Sequence, residues 1–306
     1  MINKEKILII SGPTASGKSD LAKEIAGKTP AIIINADSMQ IYSELPILSS
    51  QPSKNDIETF DHALYSILLY DQISSVMDWL NLARSEIERA RKSGKIPIIT
   101  GGTGFYISSL INGINVMPEI EDDIRDGVRE FYKTLGRDEF IRNLIDLGDV
   151  ADELIKLDPQ RLTRRMEILK QTGKNLNWWQ NQDRKSFYKP ENFVHINLNP
   201  AREKLYQNCN DRFSLMFENG ALDEAAELMK LNPKDDLPVT KTIGYFEIRD
   251  YLKGLISKEE AIQRACQKTR NYAKRQLTWF RNQFKEKYEA QDYKNSLEKI
   301  ANLLRQ

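Results

Sequence analysis

Eight consecutive residues constrain this chain more than any others: Gly12-Pro13-Thr14-Ala15-Ser16-Gly17-Lys18-Ser19. They fill every fixed position of the phosphate-loop pattern G-x-x-x-x-G-K-[ST]. The loop follows a continuous apolar run over residues 7–10, which reads as a strand buried on both faces. Residues 20–28 after it read as a helix. Two glycines let the backbone curl so that several N–H groups converge on one anion. The helix adds the positive end of its dipole. Lys18 supplies a mobile charge, and Ser19 can bind a Mg²⁺ that bridges phosphate oxygens. A nucleotide triphosphate is the default ligand of such a loop.

The surrounding pattern alternates. Residues 31–34 and 96–100 read as further buried strands, and residues 83–91 and 105–111 as helices, which implies a parallel α/β sheet. From Pro118 to about Trp179 the apolar spacing becomes helical, as in Phe140, Leu144 and Leu147 or Leu162, Met166 and Leu169. This predicts a helical insertion. Residues 193–198 read as a strand that returns to the sheet, and the chain is helical again from Arg202. The expected division is a core over 1–116, an insertion over 117–190, and a return strand with a basic helical region over 191–306.

Composition narrows the function. The net charge is +1, so any polyanion site must come from local clustering. Cys209 and Cys266 stand alone, giving neither a disulfide framework nor a zinc site. No apolar run approaches the roughly 20 residues that span a bilayer, and the N-terminus lacks a signal core, so a cytoplasmic chain with no membrane partner is expected. His62 and His195 lie in segments that read as structural.

Four further features carry chemistry. Asp37 stands where the second strand should end, at the sheet edge where ligands of α/β proteins gather. A carboxylate there can be a general base, a Mg²⁺ partner or a helix cap, and Gln40 offers an amide to a purine edge. Gly101-Gly102-Thr103-Gly104 is a second strand-to-helix turn on that edge. Arg161, Arg164 and Arg165 follow Asp158-Pro159, a helix start, and form either a solvated face or a phosphate-contacting one. Between Arg264 and Lys285 there are seven basic residues and no acidic one. Ala273, Leu277, Phe280 and Phe284 form an apolar stripe there, and Arg270, Lys274, Arg281 and Lys285 a basic stripe beside it. That pattern predicts a helix facing a polyanion. Trp178-Trp179 reads as packing of the insertion.

Together these blocks resemble the tRNA dimethylallyltransferases over nearly the whole chain. The resemblance rests on residues 12–19, on Asp-Ser-Met-Gln-Ile-Tyr at 37–42 and on Gly-Gly-Thr-Gly-Phe-Tyr at 101–106. It continues through Asp-Pro-Gln-Arg-Leu-Thr-Arg at 158–164, Thr-Ile-Gly-Tyr at 242–245 and Thr-Arg-Asn-Tyr-Ala-Lys-Arg-Gln-Leu-Thr-Trp-Phe-Arg at 269–281. It implies an α/β fold: a P-loop kinase-like parallel sheet flanked by helices, with a helical insertion domain and a helical C-terminal region. It implies transfer of a dimethylallyl group from dimethylallyl diphosphate to N6 of the adenine 3′ of the anticodon, position 37, in tRNAs reading codons that begin with U. Asp37 would be the general base, with Thr103 near the reacting groups. Lys18 and Mg²⁺ would stabilise the leaving diphosphate held by residues 12–19.

The implied tRNA contacts, on the anticodon stem-loop, are Asp37, Ser38, Met39, Gln40, Thr103, Arg125, Gln160, Arg161, Leu162, Thr163, Arg164, Lys241, Thr242, Ile243, Gly244 and Tyr245. The basic stripe adds Arg270 and Lys274. A monomer is expected. The sequence departs from the family where many members have Gly-Thr-Ala-Lys and this chain has Leu48-Ser49-Ser50-Gln51, and where a cation is replaced by Phe246. Two other functions share some of these features: a P-loop small-molecule kinase, which leaves the basic helix unexplained, and a non-catalytic tRNA-binding relative, which needs neither Asp37 nor Lys18.

Overall fold

The computed structural model describes residues 5–284 and 288–290. Within them, six parallel strands form one sheet in the order β3-β2-β4-β1-β5-β6. The strands are β1 (Ile7–Ser11), β2 (Ala31–Asn35), β3 (Asp61–Ala63), β4 (Ile96–Gly101), β5 (Phe193–Leu198) and β6 (Tyr288–Ala290). Every residue of β1, β2 and β4 is buried. Helices cover both faces of a parallel sheet, which is why these strands read as unbroken apolar runs. The short strands β3 and β6 give no such run and were not foreseen from the sequence.

Helices α1 (Lys18–Ala26), α2 (Lys54–Thr59) and α3 (Val76–Lys92) connect the first four strands, and α4 (Gly104–Asn112) follows β4. Leu21, Ala22 and Ile25 of α1 pack on Leu8, Ile10, Ile33 and Ile98 of the sheet. Each such side chain, fully buried, contributes about 1.5–3 kcal/mol. Helix α3 begins at Val76, earlier than its apolar spacing suggests. A reciprocal cap sets that start: Ser75 accepts from the Asp78 N–H, and the Asp78 carboxylate accepts from the Ser75 N–H.

The described residues divide into two compact units. The smaller, Asn112–Phe187, holds α5 (Asp122–Asp146), α6 (Ala151–Leu154), α7 (Pro159–Thr172) and α8 (Leu176–Gln180). Helix α5 breaks at Gly136, whose φ of 72° a side chain would oppose. Val128, Phe140, Leu144, Leu154, Leu162 and Met166 form the unit's own core. Arg165 is buried there. Its guanidinium donates to Asp149 and Glu153, at 2.5 Å each. It is therefore part of a structural ion triad and not of a solvated or phosphate-facing surface.

In the larger unit the chain continues after β5 through α9 (Arg202–Glu218), α10 (Ala221–Lys230), α11 (Tyr245–Leu252) and α12 (Lys258–Gln283). These helices share a second core of Phe213, Phe217, Leu228, Tyr245, Ile248 and Ala265, closed by Tyr42, Leu45 and Leu48. That core holds α12 against the carboxyl edge of the sheet.

Candidate active site

Three turns leave the carboxyl ends of β1, β2 and β4 side by side. Parallel strands make this unavoidable, because all their carboxyl ends share one edge. The first is the glycine-rich loop of residues 12–19. Its entry, Gly12, tolerates no side chain: a Cβ would lie 2.7 Å from the Leu198 carbonyl oxygen. Gly17 caps α1 in the left-handed region, at φ 88°. Lys18 Nζ donates to the Pro13 carbonyl oxygen at 2.6 Å. Burial outweighs the nearby Asp37 and pushes the Lys18 ammonium down to about 8. The Ser16 hydroxyl is buried in the loop without a hydrogen-bond partner among the described residues. Ser19 is exposed at the head of α1.

The second turn carries Asp37. The buried Asn35 side chain clamps it, accepting from the Asp37 N–H at 2.8 Å and donating to the Asp37 carbonyl at 3.0 Å. The carboxylate accepts from the Met39 N–H at 3.0 Å, and the Gly102 backbone lies close enough to favour its charged form. Burial raises the Asp37 pKa above the ordinary carboxylate value, although these amides, Lys18 and Arg212 oppose it. Asp37 is thus a stronger base than an exposed aspartate.

The third turn is residues 101–104. A Cβ on Gly101 would lie 2.1 Å from the Ala36 carbonyl oxygen, so the second and third turns touch through bare backbone. Thr103 Oγ1 accepts from the Ser38 N–H at 2.9 Å and donates to Ser38 Oγ at 3.2 Å. Thr103 therefore ties the two turns together within the Asp37 neighbourhood.

Above these turns lies a pocket of about 260 Å³. Its lining includes the polar Thr14, Asp37, Arg212 and Arg275 and the apolar Met39, Leu48, Phe213, Met216 and Ile243. Sequence reasoning missed Arg212. Its guanidinium donates to the Thr14 hydroxyl, and burial lowers its pKa. The only trace in the sequence was a cation flanking the apolar stripe Leu205, Cys209 and Phe213 of α9. Tyr272 also lines the pocket; burial, and then the Asp37 charge, raises its pKa, so the phenol stays protonated.

The other sequence-marked residues divide sharply. Gln40 gives both amide protons to the Ser49 and Ser50 carbonyls, at 2.9 Å each. Only its oxygen remains to accept, which narrows the purine-reading role suggested by its type. Thr242 and Tyr245 are buried, and Gly244 caps α11 at φ 102°. Lys241 is exposed, with Nζ on the Asp235 carbonyl at 2.6 Å. Phe246 receives the Arg249 guanidinium 4.6 Å from its ring centre. Gln51 ties its loop, donating to the Tyr42 carbonyl at 2.7 Å and accepting from Ser66 at 2.6 Å.

In the smaller unit, Arg125 bonds Asp122 at 2.8 Å. Asp158 caps α7 by accepting from the Arg161 N–H at 2.9 Å. Gln160 and Arg161 are exposed, Thr163 and Arg164 half-buried, and Leu162 faces the unit's own core. The Leu162 side chain is therefore inaccessible to an external partner.

The basic stripe of α12 is less uniform than its sequence. Arg264 pairs with Glu260 at 2.5 Å, and Lys268 with Glu247 of α11. Arg270 is half-buried on Asn210 at 2.6 Å. Lys274 and Arg275 are exposed, and neither pairs with a carboxylate among the described residues. Lys285 lies outside the described residues.

A family model described as IPP transferase matches residues 40–283. The chain belongs to this family. An IPP transferase relative from Ehrlichia chaffeensis, named tRNA dimethylallyltransferase, is 42% identical over 299 residues, 97% of each chain. A solved full-length tRNA isopentenylpyrophosphate transferase from Bacillus halodurans is 31% identical, with a TM-score of 0.71 over 98% of this chain and 97% of that one. A eukaryotic dimethylallyltransferase solved acting on tRNA is 26% identical, with a TM-score of 0.78 over 97% of this chain and 77% of its own. The parallel sheet flanked by helices is the fold that the sequence predicted. Among the described residues no helix is long and apolar enough to cross a membrane.

Proposed function

We propose that this IPP transferase moves a dimethylallyl group from dimethylallyl diphosphate to N6 of the adenine 3′-adjacent to the tRNA anticodon. The observation that carries the reading is one pocket lined by Thr14 of the glycine-rich loop, by Asp37, Arg212 and Arg275, and by the apolar Leu48, Phe213 and Met216. A diphosphate fits the loop, with Lys18 and Arg212 facing its charge. A five-carbon tail fits beside Leu48, Phe213 and Met216. A nucleotide's polar ribose gains nothing from those apolar side chains.

The chemistry follows from the groups present. The adenine amino group is a poor nucleophile, since its lone pair is delocalised into the ring. As N6 bonds to C1 of the prenyl group, the C1–O bond breaks and its electron pair leaves with the diphosphate. Asp37 takes the proton that N6 loses. A positioned base contributes roughly 10²–10⁴-fold in rate. The loop amides, Lys18 and Arg212 stabilise the charge that grows on the leaving oxygen. The target base must leave its stack, which costs a few kcal/mol and least in a loop already single-stranded. Lys274 and Arg275 are suited to phosphate contacts of that loop.

Mg²⁺ belongs to this reading. No cluster of three His, Cys, Asp or Glu side chains able to hold a metal occurs among the described residues. The exposed Ser19 hydroxyl at the head of α1 could instead share a hard cation with substrate oxygens. When bound, it would neutralise charge on the departing diphosphate. The reading includes a monomer acting in the cytoplasm.

The test is direct. Purified protein, unmodified tRNA, Mg²⁺ and labelled dimethylallyl diphosphate should yield labelled tRNA. Folded protein that leaves the tRNA unlabelled, or that instead passes phosphate from ATP to a small acceptor, refutes the proposal.

A further inference from the structure

Gln276 lies on the apolar face of α12, between Ala273 and Phe280, and is 5% exposed. A buried carboxamide must find partners for both its donor and its acceptor. Gln276 finds them on two different turns of the site. Its Oε1 accepts from the Thr14 N–H of the phosphate loop at 2.8 Å. Its Nε2 donates to the Gly102 carbonyl at 2.9 Å. The amide orientation is fixed, because an N–H needs an acceptor and a carbonyl needs a donor. The Gly102 backbone in turn lies beside the Asp37 carboxylate and favours its charged form. One side chain and one glycine therefore connect the leaving-group loop to the base.

The surrounding contacts leave this bridge no slack. A Cβ on Gly102 would lie 2.3 Å from Gln276 Nε2 and 3.3 Å from Asp37 Oδ2. A Cβ on Gly104 would lie 2.1 Å from the Trp279 ring, one turn further along α12. The helix thus sits directly on the bare backbone of the third turn. No other neutral side chain of this length supplies one donor and one acceptor in a plane. Leucine or methionine would strand both backbone groups, and glutamate would oppose its charge to the Gly102 carbonyl.

We infer that Gln276 is a positioning residue that sets the distance between the phosphate loop and Asp37, and so aligns the leaving group with the base. This rests on the proposed roles of the loop and of Asp37. Helix α12 then acts on both of its faces, since the helix that carries Lys274 and Arg275 outward also holds the reacting geometry through its buried side.

The test is a double-mutant cycle on single-turnover prenyl transfer, with Q276M, D37N and the double variant. Q276M keeps the length and removes both hydrogen-bonding groups. Displacement of reacting groups by about 1 Å can cost on the order of 10²-fold. Q276M should therefore lose about 10- to 100-fold in the single-turnover rate, with tRNA affinity within threefold of wild type. In the D37N background the same change should cost less than threefold, because the base it positions is already gone. Equal costs in both backgrounds would make Gln276 merely structural, and an unchanged rate in Q276M would also overturn the inference. Should Q276M fail to fold, Q276N, which retains the amide but withdraws it by one methylene, is judged by the same cycle. Full activity in D37N alone would instead overturn the assignment of the base, so the two failures are distinguishable.

Discussion

Lys18 offers the sharpest quantitative test. Its ammonium has Asp37, Arg212 and Cys209 as charged or titratable neighbours, and burial leaves it at about 8 against an ordinary 10.5. A bound diphosphate would restore the charged form. Affinity for dimethylallyl diphosphate should then follow the protonated fraction of Lys18 in the free protein. For a pKa of about 8, that fraction falls about 25-fold between pH 7.5 and 9.5, roughly 1.9 kcal/mol of binding free energy. The sign is a loss of affinity as pH rises. A phosphate group, with its second pKa near ~6, is already fully ionised over this range. Burial raises the Cys209 thiol, which works against its ionisation over this range. The assay is titration calorimetry without tRNA, at fixed Mg²⁺, in two buffers of different ionisation heat. At pH 8.5 the binding should take up about 0.75 proton. K18M should bind more weakly and with a flat profile. A wild-type Kd constant within twofold from pH 7.5 to 9.5, with no proton uptake, would refute the reasoning.

Three other outcomes follow from the same geometry. D37N should lose turnover by about 10²-fold or more with tRNA binding intact; the wild-type rate should fall as pH drops through the raised Asp37 pKa. Because folding raises that pKa, ionised Asp37 costs stability above its unfolded value, so D37N should melt at a higher temperature than wild type, and a lower melting temperature would count against the raised pKa. R165M leaves the buried Asp149 carboxylate unpaired and should destabilise the smaller unit by about 3–5 kcal/mol, read from denaturant unfolding. K274A should weaken tRNA binding and reduce the slope of log K against log salt by about 0.7–0.9, and an unchanged slope would remove Lys274 from the RNA face.

The sequence by itself determined the scaffold of the site. A buried strand ending in residues 12–19 leaves the phosphate loop few other shapes, since its two glycines and its helix start are local requirements. Asp37 and Thr103 were legible for a related reason: parallel strands put all their carboxyl ends on one edge. The helical texture of residues 118–179 likewise followed from spacing alone. Tertiary structure decided what depends on side chains distant in the chain. Arg212 approaches Thr14 across 198 positions, and Gln276 reaches Gly102 across 174. No local period encodes such meetings. Charge showed the same limit. Helix α12 is acid-free from Arg264 onward, yet Glu260 and Glu247 neutralise its first cations, leaving Lys274 and Arg275 to face outward. Arg165 looked like a surface cation until packing buried it against Asp149. A glycine-rich turn announces itself because backbone conformation is written into neighbouring residues. The groups that surround it are chosen by packing, and packing is settled only when the whole chain has folded.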